Sequence, residues 1–389
     1  MIKIKDPKEC CGCTACASIC AHDAITMEPD ALGFLYPKVD ESKCVDCGLC
    51  DKVCQFKDNY DRSLNLEQPI AYAARHKDIN EVMKSRSGAA FVAISDYILE
   101  QGGVVYGAGY KDHFRVAHKR ATTKEERDEF RGSKYVQSDL TGVFRQVKED
   151  LKNGLTVLFS GTPCQTAGLN AYVGKRLREN LILVDIVCHS VPSPYIWRDY
   201  VDYMESKCKK KIAHVDFRDK SYGWNGPQME RFDFIDGKSK TDFCHRHFFA
   251  KNLGIRRSCS VCVFCNMTRP SDITIGDFWG IEKVDPLFNA DNKGVSLVII
   301  NTNKGQTLMT AFKIELNLLN VDTSQALQPN LVSPTPENPF RQKFEDDYCE
   351  KGYHYILTRY GNLGWRYKGK NLLKRINRVF RKMTKIRYS

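Results

Sequence analysis

Two runs of cysteine at the same spacing constrain this chain more than any other feature. Cys10, Cys13, Cys16 and Cys20 read C-x2-C-x2-C-x3-C, and Cys44, Cys47, Cys50 and Cys54 repeat that pattern 34 residues later. A tight loop with a thiol at every third position brings three sulfurs onto one small object, as a four-iron cubane requires, and its fourth ligand arrives from elsewhere. Gly12 and Gly48 let the backbone wrap closely around such a cluster. The competing reading is a pair of zinc knuckles, but zinc sites have no use for the third and fourth cysteines of each run. Cys11, between ligands, reads as a spare buried thiol.

Where two such runs share one module, the last cysteine of each serves the other cluster. The expected ligand sets are therefore Cys10, Cys13, Cys16 and Cys54 for one [4Fe-4S] cluster, and Cys44, Cys47, Cys50 and Cys20 for the second. Residues 1–60 read as a bacterial-ferredoxin-like domain, although Ala21 and Gln55 stand where proline usually follows the last cysteine. The polar stretch after Gln55 suits a linker, taken as residues 61–69, and a second domain is expected from Ile70 to residue 350.

Seventeen cysteines in 389 residues would be unusual for ordinary thiols. The N-terminus has no apolar stretch ahead of a small-residue cleavage site, so the chain is expected in the reducing cytoplasm, where metal or redox chemistry explains cysteine better than disulfides do. No window approaches the run of about 18 apolar residues that a membrane span needs. The net charge is +12, and the segment after Glu350 carries twelve Lys and Arg with no Asp or Glu, which leaves residues 1–350 with no net charge. A nucleic-acid-binding body is therefore disfavoured. Within residues 351–389, Leu372, Leu373, Ile376, Val379, Phe380, Met383 and Ile386 recur at helical spacing among cations. This predicts a basic amphipathic C-terminal helix, suited either to peripheral contact with the inner face of an anionic membrane or to packing on the body or a second subunit.

The body alternates β-rich and helical runs: IAYAA, a helix from Ala89 to Glu100 opened by Ser87, VVYGA, a helical face of Leu140, Val143, Phe144, Val147 and Leu151 behind Ser138 and Asp139 as caps, then TVLFS. A helix from about Thr166, the apolar strand LILVDIVC and a helix initiated by Pro194 follow. The fold class is α/β (mixed α+β) with parallel strands, and such sheets bind ligands at the C-terminal ends of their strands. Gly107-Ala108-Gly109 lacks the third glycine of a dinucleotide fingerprint, so nicotinamide binding is not supported. Cys164 and Cys188 each follow a central strand, and Cys259, Cys262 and Cys265 form a further C-x2-C-x2-C run. Cys164, Cys188, Cys259 and Cys262 would complete a third [4Fe-4S] site, with Cys265 in reserve. The alternative is a zinc site on the run, with Cys164 and Cys188 as buried thiols.

FSGTPCQTAGL, DIVCHSVPSP, FRDKSYGW, RPSDITIGDFWG and KGVSLVIINT, in that order, resemble the beta subunit family of coenzyme F420 hydrogenases and dehydrogenases, preceded by its common two-cluster ferredoxin extension. The resemblance covers nearly all of residues 5 to 345. It implies a flavoprotein oxidoreductase with FAD near one [4Fe-4S] cluster, taking electrons from reduced ferredoxin or another redox protein and passing them to a two-electron acceptor. It equally allows an electron-transfer subunit that serves a partner enzyme and has no substrate of its own. By motif, SRSGAAF maps Ser85, Ser87 and Gly88 near the flavin, where the family has a double glycine and this chain has Gly88-Ala89. RGSKYVQSD maps Gly132, Ser133, Lys134 and Tyr135 to its phosphate and ring environment, and Asp277 in GDFWG to the same pocket. The bland accounts are that Ser87 is an N-cap and Lys134 a solvated surface lysine. The DIVCHSVPSP and DFWG wording is similar to that of a bacterial subset associated with exopolysaccharide synthesis, which points away from F420 as acceptor. Neither the acceptor nor a catalytic residue is legible.

Overall fold

The computed structural model describes residues 1–56, 60–242 and 244–361. In the N-terminal module, β1 (Ile25–Pro29) and β2 (Leu35–Val39) form an antiparallel ribbon between the two cysteine runs. The body is built on β3 (Asn65–His76), β4 (Val104–Lys111), β5 (Arg115–Ala121), β6 (Val157–Gly161), β7 (Leu181–Ile186), β8 (Ile212–Asp216), β9 (Glu230–Phe234), β10 (Ser239–Asp242), β11 (Ile273–Asp277), β12 (Ser296–Thr302) and β13 (Leu316–Val321).

Eight of these strands make one mixed sheet in the order β13-β3-β12-β11-β7-β6-β4-β5. Its centre, β11-β7-β6-β4, is parallel, and both flanks are antiparallel. Strand residues alternate between two cores, which is why these segments are apolar throughout. Val105, Leu158, Ile182 and Val298 pack against the helices Ala90–Glu100 and Asn303–Phe312. Val104, Phe159, Leu181 and Leu183 meet Phe144, Val147 and Leu169 from the helices Val143–Lys152 and Pro163–Val173. Strands β8 to β10 form a separate antiparallel sheet.

Several boundaries differ from the sequence reading. The first body strand starts at Asn65, so the expected linker gives its last residues to β3. Ser87 does not cap the next helix. Ala89 occupies the cap with a left-handed backbone (φ 65°), while the Ser87 hydroxyl bonds Ser296 Oγ. Helix Val143–Lys152 likewise starts behind Gly142, because Ser138 is engaged by His118 and Asp139 accepts from the Thr141 N–H. The helix expected from Thr166 begins at Pro163, opened by a capping box of Thr162 and Gln165.

The module shares cores with the body. Leu32 and Phe34, fully buried, pack with Ile196 and Trp197, and Ser193 donates to the Leu32 carbonyl. Ala15 and Val53 join the core of Phe144 and Leu169. A methyl group placed on Gly168 would stand 2.7 Å from Cys13 Sγ, so only glycine admits so close an approach of helix and cysteine loop. The last described helix is Arg341–Arg359. The amphipathic segment Leu372–Ile386 lies outside the described residues, and no described helix is long and apolar enough to cross a membrane.

Candidate functional site

The two cysteine runs build two thiol groups, with Cys54 beside the first run and Cys20 beside the second. Cys16 lies within electrostatic range of Cys13, Cys10 and Cys54, whereas Cys20, Cys44, Cys47 and Cys50 line one small cavity with Met1 and His22. In each run the middle cysteine is flanked by two left-handed residues, Gly12 and Thr14 (φ 71° and 67°) in the first and Asp46 and Gly48 (φ 49° and 72°) in the second. That pair of reversed turns is what curls three thiols inward. Gly12 and Gly48 are therefore not equivalent positions. The glycine sits ahead of the middle cysteine in the first run and after it in the second.

A third thiol group lies in the body. The helix after β6 carries Cys164 in its first turn, and Cys188 lies just past the end of β7, so both occupy the C-terminal edge of the parallel strands. Cys188 is within electrostatic range of Cys259, Cys164 and Cys265, and Cys262 of Cys265 and Cys164. All five candidate cysteines thus come together, with Cys265 a full member of the group. Burial pushes Cys259 up to about 12, while a hydrogen bond from Cys11, with a further one involving Thr162 at 3.1 Å, brings Cys164 down to about 7. Cys11 is buried within hydrogen-bonding reach of both Cys13 and Cys164, so the spare thiol of the sequence reading joins the module to the body. Among the described residues no set of His, Cys, Asp and Glu closes around a single ion.

Beside this group opens a cavity of about 630 Å³, the size of a cofactor or drug-sized ligand site. Its wall brings together Ser85, Ser87, Gly132, Ser133, Lys134, Tyr135 and Asp277 with Cys188. Gly88 is absent from that wall. A methyl group there would collide with the Ala74 carbonyl oxygen and Ser296 nitrogen, so glycine serves strand packing at this position. Lys134 is tied to the Glu129 and Arg131 carbonyls, and burial brings it down to about 7; it is a brace inside the loop and not a solvated surface lysine. Asp277 pairs with Arg218 and accepts from Trp224 Nε1 at 2.8 Å.

Two further cations in the wall escaped the sequence reading: Arg86, inside SRSGAAF, and Arg218, inside FRDKSYGW. Arg86 Nε, Arg218 Nε and Nη2, Ser85 Oγ and Ser190 Oγ are buried without a hydrogen-bond partner. Burial and the Arg218 charge bring Arg86 down to about 10. Lys220, brought to about 7 by burial and Arg86, ties together the carbonyls of Val82, Ser87 and Lys293 behind them. Orphaned donors and concentrated positive charge fit an anionic ligand with several acceptor oxygens.

Residues 9–57 match the 4Fe-4S dicluster domain family. Residues 154–323 match the family formed by the C terminus of the coenzyme F420 hydrogenase/dehydrogenase beta subunit. Among solved structures, the chain is similar to one from the F420-reducing [NiFe] hydrogenase complex of Methanosarcina barkeri, in a xenon-derivatized form. The two share 16% identity and a TM-score of 0.47 over 78% of this chain and 96% of that one. No curated protein matches. Residues 9–57 and residues 154–323 are thus similar to two separate domain families, the 4Fe-4S dicluster domain and the C terminus of coenzyme F420 hydrogenase/dehydrogenase beta subunits.

Proposed function

We propose that this chain is an iron-sulfur flavoprotein oxidoreductase that takes single electrons at the N-terminal module and delivers them in pairs to an organic acceptor. The observation that carries the reading is the shared wall: Cys188 belongs both to the five-cysteine group and to the cavity with the orphaned arginine donors. Three thiol groups then follow one another from the Cys44 set, through the Cys10 set, to the body set at the cavity.

The donor chemistry fits an iron-sulfur cluster and a flavin. Four of Cys164, Cys188, Cys259, Cys262 and Cys265 would hold a third [4Fe-4S] cluster, and the cavity would hold FAD. FAD bound there would supply the conversion between one-electron and two-electron transfer. The chain's own part is to position and exclude water. Arg86 and Arg218 offer N–H donors to a pyrophosphate, Asp277 holds Arg218 in place, and Lys134 and Lys220 clamp the loops that carry Ser85, Ser87 and Ser133. For the acceptor, the motifs shared with the exopolysaccharide-associated subset favour a sugar-bearing substrate, for which a membrane-seeking tail would be useful.

Anaerobic purification with mass-spectrometric cofactor identification tests this reading. It predicts flavin and about twelve iron atoms per chain, from three clusters of four. Arg218→Ala should weaken flavin retention about tenfold or more, because a charge-assisted hydrogen bond is lost. A colourless protein containing only zinc would reject the proposal. Oxidation of reduced ferredoxin only when a partner copurifies would favour an electron-transfer subunit instead.

A further inference from the structure

Arg256 is 0% exposed, yet among the described residues no Asp or Glu forms an ion pair with it. Its Nε donates to the Cys10 carbonyl at 2.9 Å, Nη1 to Gln137 Oε1 at 2.8 Å, and Nη2 to the Leu35 carbonyl at 2.9 Å and to Cys10 Sγ at 3.6 Å. The guanidinium lies 4.2 Å from the centre of the Tyr36 ring. A buried cation held only by neutral acceptors is strongly unfavourable unless an anion offsets it. Asp30 feels it at longer range while accepting from the Leu32 and Phe34 N–H groups. The groups close enough to offset it are sulfurs, which would be thiolates as cluster ligands: Cys10, Cys13, Cys164 and Cys259 all lie within its electrostatic range, so the charge sits between the inner site of the module and the site of the body.

The outer site has no buried cation among the described residues: Arg145, which donates to the Cys20 carbonyl at 3.2 Å, is exposed and paired with Asp23. The charge beside Cys50 is the N-terminal amine, paired with Asp46 at the surface, where water and salt screen it. One-electron reduction of an iron-sulfur cluster adds one negative charge, and a fixed cation in a low-dielectric interior stabilises the reduced form.

We propose that Arg256 is a redox-positioning residue that holds the reduction potential of the Cys10 site above that of the Cys44 site and so draws electrons from the surface of the module toward the body. With both clusters bound, an electron leaving the outer one would reduce the inner one, with no bond or proton changing partner. The inference rests on the cluster reading above. The iron content of the parent protein tests that reading before any variant is made.

The experiment is a potentiometric titration of the anaerobically purified full chain, followed by electron paramagnetic resonance, with signals assigned through Cys13→Ser, Cys47→Ser and Cys164→Ser. Arg256→Gln should lower the midpoint of the inner cluster enough to change its reduced fraction about tenfold at the parent midpoint, leaving the outer cluster unmoved. Arg256→Lys should restore most of that shift. Because Arg256 also ties down the Cys10 loop, Gln137→Glu serves as the second variant: it leaves Arg256 and all its bonds to that loop in place and keeps an acceptor for Nη1, losing only the Gln137 Nε2 bond to the Cys11 carbonyl, while its carboxylate offsets the guanidinium charge and should lower the same midpoint. An inner-cluster midpoint equal to the parent's in Gln137→Glu, at full iron content, would overturn the proposal.

Discussion

The two cysteine runs have the same spacing and the same pair of left-handed turns, yet occupy opposite environments. The outer run is close to solvent: Cys47 is exposed, as are Val45 and Leu49, and a methyl group on Gly48 would meet nothing within 4 Å. The inner run is pressed into the body. A methyl group on Gly12 would stand 2.9 Å from both Arg256 Nη1 and Gln137 Nε2, and Gly168 packs on Cys13. Identical ligand spacing therefore sets what can be bound, whereas the packing around it sets how far each site lies from solvent.

Substitution of the two glycines should separate the runs most strongly. Gly12→Ala combines left-handed strain with an overpacked contact to two buried side chains, so a loss of about 2–5 kcal/mol in stability and depletion of inner-site iron are expected. Gly48→Ala meets only the strain, about 1–2 kcal/mol. Anaerobic thermal unfolding and iron content check both, and equal losses would break the comparison. Next in size, Arg145→Ala removes bonds from its guanidinium to the carbonyls of Ala17, Ser18 and Cys20 and to Asp23. Since these groups are exposed, the module should stay docked and stability should fall by about 1 kcal/mol or less, read by denaturant titration. Smallest is the relief of strain. Thr14→Gly places glycine where the outer run already has it and should stabilise by a few tenths of a kcal/mol up to about 1, the gain at φ 67° being offset by chain entropy.

Much of this was legible in the sequence for a physical reason: cysteine spacing encodes ligation, and alternation of apolar runs encodes a layered sheet. The expected pairing of Cys54 with the first run and Cys20 with the second, and the positions of Cys164 and Cys188 beyond strand ends, follow from such local rules. Arg256 follows none of them. It lies 246 residues from Cys10, and its role appears only when the module closes on the body. Arg86 and Arg218 sat inside quoted motifs, but nothing in a basic residue's local sequence marks it as unpartnered in the fold. Gly88 carried the opposite lesson, because a glycine beside a ligand loop served a neighbouring strand. The Thr162–Gln165 capping box was readable as T-x-x-Q and would have placed Cys164 in the first turn of its helix.

The central claim is that the body holds a cluster of its own, ligated independently of the module, at the wall of the cavity. Iron content and electron paramagnetic resonance of Cys164→Ala beside the parent, both purified anaerobically, test it most directly. The account predicts about twelve iron atoms per chain in the parent and about eight in the variant, with one cluster signal gone and the two module signals unchanged. The same cluster signals and iron content in both proteins would contradict it.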